Sequence, residues 1–82
     1  MSDAVRDFVN TMINSAEEIA TFETGKPEEE TLQRLSQLGE RLRGKLAPLV
    51  GPDLASRTVE TFCGAVMGEK RERETLAAMN LI

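Results

Sequence analysis

The sequence holds no histidine, no tryptophan and no tyrosine. Without histidine the default general base of enzymes is missing, and so is the commonest transition-metal ligand. The Glu-x-x-His pairing of di-iron helical bundles is excluded with it. Three phenylalanines are the only aromatics, too few to build platforms on which bases stack. Cys63 is the single cysteine, so no disulfide forms within one chain. A lone thiol points to a reducing compartment. No apolar run approaches the roughly 18 residues that a membrane span needs. Met1-Ser2-Asp3 leads straight into a patterned segment, without the basic-then-apolar order of a signal peptide. A cytoplasmic protein is expected.

Charge of one sign is also in short supply. The 82 residues carry 14 acidic and 10 basic side chains, a net charge of −4. That balance argues against charge-driven binding to nucleic acid or to an anionic membrane, and it is too weak for a DNA mimic. The length suits one domain, residues 1–82, with a modest core. Self-association is the expected added source of stability, since no disulfide or metal is available to supply it.

What the sequence does have is helical patterning. Over residues 3–23, Val5, Phe8, Val9, Met12, Ile13, Ala16, Ile19 and Ala20 recur at i, i+3, i+4 and form one continuous stripe. Ser2 and Asp3 suit its start, and Thr24-Gly25 its end. A second helix is predicted over 27–47, with Pro27 at its first position and Glu28, Glu29 and Glu30 against the positive end of its dipole. Arg41, Arg43 and Lys45 lie towards its far end. Positions 32, 35, 39, 42, 46 and 49 form a short heptad seam of leucines with Gly39 in it. Leu49 and Val50 extend the seam if the helix continues past Pro48. Gly51-Pro52-Asp53 punctuates the chain. A third helix is predicted over 53–67, with Ala55, Val59, Phe62, Cys63, Val66 and Met67 on one face.

Beyond that point the pattern changes. Gly64 and Gly68 each lower helix propensity by about 1 kcal/mol relative to alanine, which suggests close approach of another backbone or a break. Residues 69–74 are all charged, with Glu69–Arg73 and Lys70–Glu74 as i, i+4 pairs. On an unbroken helix that carries the Val59/Phe62/Val66 stripe, Leu76 sits about 100° from Val59 and Met79 about 160°. Lys70, Arg73 and Glu74 fall on the line of that stripe. The face that packs before Gly68 therefore cannot be the face that packs after Glu74. Either the chain turns at Gly68 into a fourth short helix, 69–80, or its end projects with an apolar tip. The expected fold is all-α: a helical hairpin or three-helix bundle with a short fourth C-terminal helix, dimeric.

Motifs that carry chemistry are weak. Gly25-Lys26 precedes a helix, but Pro27 stands where a phosphate loop needs Ser or Thr. Glu28, Glu29 and Glu30 point in different directions, so the reading is dipole complementation and no metal site is expected. Cys63 has apolar neighbours at helical spacing and reads as a structural thiol. Length and acidity resemble those of an acyl carrier protein, but Ser56 lies in Leu54-Ala55-Ser56-Arg57 and no Asp-Ser-Leu occurs. No acid–base constellation is present, so neither an enzyme nor a cofactor is expected. Two functions remain. The first is a small regulator, inhibitor or adaptor that binds another protein through an apolar helical surface, with Leu76, Met79, Leu81 and Ile82 as the docking residues. The second is a DNA-binding regulator of helix-turn-helix type. It has against it the distance from Pro48 to Asp53 and the thin set Arg57, Thr58, Glu60 and Thr61 on the polar side of the third helix.

Overall fold

The computed structural model describes residues 3–80. Among them it has three α-helices and no strand: α1 (Asp3–Glu23), α2 (Glu28–Val50) and α3 (Pro52–Asn80). Helix α3 is the spine. Both α1 and α2 pack along it and barely touch each other. The molecule is correspondingly long, 48 × 23 × 16 Å.

The helix boundaries follow local chemistry. Helix α1 ends before Thr24, and Gly25 takes φ +90°, where a side chain is strained. Pro27 is the residue just before α2 rather than its first, with extended ψ of 139°. Its carbonyl accepts from Glu30 and Thr31 N–H at 3.1 and 3.3 Å. The three glutamates do occupy the first turn of α2. Helix α2 then runs through Pro48 to Val50, so Leu49 and Val50 are helical and the basic residues lie short of its last turn. Gly51 at φ +93° is the whole connection to α3, with its N–H on Ala47 O at 2.8 Å. The joint is much shorter than the Pro48–Asp53 linker expected, and Pro52 is the first residue of α3.

The core is built from the middle of the predicted stripes, while Leu32 and Leu49 at the ends of the α2 seam and Ile13 of α1 are exposed. Leu35, Leu42 and Leu46 of α2 are buried with Ala55, Val59, Phe62, Val66 and Met67 of α3. Gly39 sits in the same seam. A methyl group there meets Val59 Cγ1 at 3.2 Å and Cys63 Sγ at 3.6 Å, so Gly39 is where α2 and α3 approach closely. Helix α1 contributes less. Ala20 is fully buried, while Phe8, Met12, Ala16 and Ile19 pack against the core but stay half-buried.

Two expectations are corrected. There is no separate fourth helix: α3 continues unbroken for 29 residues, through Gly68 and the charged run. Gly64 and Gly68 mark neither a close approach nor a break, for a Cβ at either position meets nothing within 4 Å. The physical reason lies at Lys70, which is only 2% exposed. The buried stripe of α3 does continue past Gly68 on the line where the sequence places charge. It changes from apolar to polar because it there meets the α1–α2 turn, whose carbonyl and N–H groups want partners.

Candidate protein-docking surface

The end of α3 is fixed by that polar junction. Lys70 Nζ donates to Lys26 O at 2.9 Å and to Glu74 at 2.8 Å. Glu74 Oε2 also accepts from Gly25 N–H at 2.8 Å. One cation and one carboxylate thus hold both a carbonyl and an N–H of the turn against α3. These bonds, the Lys70 bond first, keep the Glu74 carboxyl below the ordinary carboxylate range. Arg71 pairs with Glu28 across to α2, and Arg73 with Glu69 at 3.0 Å along α3. On the other side of the turn, Glu23 is 1% exposed. It accepts from Arg34 at 3.0 Å and from Thr31 Oγ1 at 3.4 Å. Arg34 and Lys26 also lie over the Phe22 ring, 4.9 and 4.0 Å from its centroid.

Past Glu74 the helix leaves this junction. Six further residues to Asn80 add about 9 Å of helix, and all of them are exposed. Leu76 is 52% and Met79 63% exposed. Leu81 and Ile82, the other expected docking residues, lie outside the described residues. Thus Leu76 and Met79 stand on a helix whose base is anchored and whose end reaches beyond the bundle.

The weaker motifs fall elsewhere. Cys63 is half-buried, with its thiol 3.8 Å from Leu35 O, and burial pushes its pKa up. A reactive thiolate is disfavoured there. Ser56 is half-buried near the start of α3. Among the described residues no cluster of three or more Asp, Glu or Cys is placed to hold a metal ion. Among the described residues no helix is long and apolar enough to cross a membrane. No protein-family model matches the chain, and neither a curated protein nor a solved structure matches it.

The residues that sequence reading missed are Glu23, Thr31 and the Lys70–Glu74 pair as elements of the junction. Lys70 did leave a signal: it falls four residues after Val66, on the line of the buried stripe.

Proposed function

We propose that the protein is a small regulator, inhibitor or adaptor that binds another protein through an apolar helical surface, without catalysis. The observation that carries the reading is the projection of Leu76 and Met79 beyond the Gly25–Glu74 contact on an unbroken helix. An amphipathic helix end of this kind suits insertion into a groove, with apolar side chains three residues apart as anchors. Burying one such leucine or methionine contributes about 1.5–3 kcal/mol. Two anchors alone support a weak, reversible complex, and Leu81 and Ile82 add to them in this reading. The same reading has the chain associating with itself, through its second incompletely buried surface on α1.

The test compares the intact chain with Leu76→Asp/Met79→Asp and with deletion of residues 75–82, as baits in pull-downs from the native host. The expected result is a protein captured by the intact chain and lost with both variants, at unchanged helicity and Tm. Capture that survives both variants refutes the tip as the site. Salt-labile retention on a DNA column, unaffected by either variant, refutes the protein-binding reading and favours a DNA-binding one.

A further inference from the structure

Between α1 and the first half of α3 lies a mainly apolar groove of about 410 Å³. Met12 walls it on one side and Leu54, Thr58, Thr61, Phe62 and Ala65 on the other, with Arg57 as its one charged residue. Leu54, Thr58, Thr61 and Ala65 are spaced 4, 3 and 4, a single line along α3. The line continues at 3, 4, 3 and 4 through Gly68, Glu72 and Thr75 to Met79, with Leu76 beside it. It is exposed at every position except half-buried Thr58. One face of α3 thus carries an apolar groove near its start and the apolar tip at its end.

Charge, side-chain size and surface area say what fills the groove. Arg57 in the groove and Glu72 at the base of the tip are exposed, and neither has an ion-pair partner among the described residues. An occupant needs apolar side chains for Leu54 and Thr58 and an acidic one for Arg57. The end of α3 from Glu72 to Met79 has both. Between groove and tip the line holds only Thr61, Ala65 and Gly68, whose short side chains let a second helix come close. The chain exposes 5761 Å² in all. A compact monomer of 9.0 kDa exposes about 4,900 Å². The excess, about 900 Å², matches the roughly 800 Å² that one partner contributes to a standard interface.

We propose that a second copy lays its α3 antiparallel along this line, around a two-fold axis near Ala65–Gly68, so that the tip of each copy fills the groove of the other. This rests on the reading of the α3 tip as a docking surface and names what it docks on. A two-fold pairing of one face with itself is closed and self-complementary. In this register Met79 packs on Leu54 of the second copy, Thr75 on Thr58, Glu72 on Thr61 and Gly68 on Ala65. Leu76, on the α1 side of the line, enters the groove beside Thr58. Glu72 comes within reach of Arg57, one turn before Thr61, and does so twice by symmetry. A parallel pairing instead sets Arg57 beside Arg57 and Glu72 beside Glu72, and leaves each groove without a tip.

Sedimentation equilibrium of the purified chain over a wide concentration range is expected to show a reversible species of twice 9.0 kDa. Arg57, Glu72 and Leu54 are exposed in the single chain, so their replacement disturbs no core. Arg57→Glu and Glu72→Arg are each expected to weaken the dimer by about four- to thirtyfold in Kd, as two symmetric attractions become repulsions. Combining the two is expected to restore it. Leu54→Asp is expected to abolish the dimer while leaving Leu76 and Met79 free to capture a host protein. Circular dichroism checks that each variant keeps its helicity. A 9.0 kDa monomer at every concentration overturns the pairing. So does a dimer indifferent to both charge reversals, or one that the double reversal fails to restore. The reading of the tip as a host-protein site fails by a different result, capture that survives Leu76→Asp/Met79→Asp, on which the sedimentation of the purified chain does not depend.

Discussion

Alanine at each of three helical glycines separates the structure from a reading that takes Gly64 and Gly68 as a weak point in α3. Glycine inside a helix costs about 1 kcal/mol relative to alanine. At Gly68 the added methyl meets nothing within 4 Å, and the same holds at Gly64. Each substitution is therefore expected to stabilise by nearly the full propensity term, about 0.8–1 kcal/mol, since φ is not in the left-handed region at either. At Gly39 the methyl lands 3.2 Å from Val59 Cγ1 and 3.6 Å from Cys63 Sγ. Val59 is 7% exposed and held within the core, so α2 and α3 must separate slightly. Overpacking of this kind costs about 1–3 kcal/mol, which cancels or exceeds the propensity gain. In a domain of this size 1 kcal/mol moves Tm by about 4–8 °C. Thermal melts followed at 222 nm, with urea midpoints as a check, are expected to rank Gly64→Ala and Gly68→Ala above the parent and Gly39→Ala at or below it. A fall in Tm for Gly68→Ala, or a rise for Gly39→Ala as large as for the other two, refutes the reasoning.

The other predictions concern the core, the polar junction and the thiol. Leu42→Ala empties a buried position between Leu35 and Leu46 and is expected to cost about 2–5 kcal/mol, read as a large fall in Tm or loss of the cooperative transition. The Glu74 carboxyl titrates lower in the folded chain than in the unfolded one because Lys70 and Gly25 bond its charged form. Its contribution is thus fully present above the ordinary glutamate range and is lost as pH falls through the lowered folded value. Across that acid window Glu74→Gln is expected to lose less stability than the parent; parallel Tm-versus-pH curves for the two proteins refute the linkage. Cys63 is expected to react slowly with a thiol reagent at neutral pH and rapidly once urea unfolds the chain, since burial raises its pKa; equal rates in both states refute that placement.

Much of the fold was legible because helices announce themselves by period. The stripe of α2 became the buried Leu35–Gly39–Leu42–Leu46 seam, but the close approach expected at Gly64 and Gly68 lies at Gly39 instead. The turn at Gly25 and the joint at Gly51 carry the residue that their positive φ requires. The fourth helix was misread for a definite reason. A stripe count that admits only apolar residues ends at Met67, and a charged run then looks like a solvated break. Lys70 has a long apolar stem and a cationic head, so it continues a buried face wherever that face meets a carbonyl rather than a side chain. Lys26 O supplies that carbonyl, 44 residues away in sequence and adjacent in space.

The proposed docking surface shows the opposite limit. The pattern on α1 says that one face wants to be buried; it does not say which chain buries it. Only the placement of α2, packed on α3 and barely touching α1, leaves Phe8, Met12, Ala16 and Ile19 half-buried. Leu76 and Met79 were legible as out of phase with the core. The Lys70–Glu74 junction gives that phase its consequence: it pins α3 to the α1–α2 turn just before the helix projects, so the apolar tip is presented on a fixed base and not on a frayed end. If that base matters to binding, Lys70→Met should weaken capture of a partner by the tip even though Leu76 and Met79 are intact. Capture as strong as the parent's, in a variant whose junction bonds are gone, shows that the tip acts independently of its anchor.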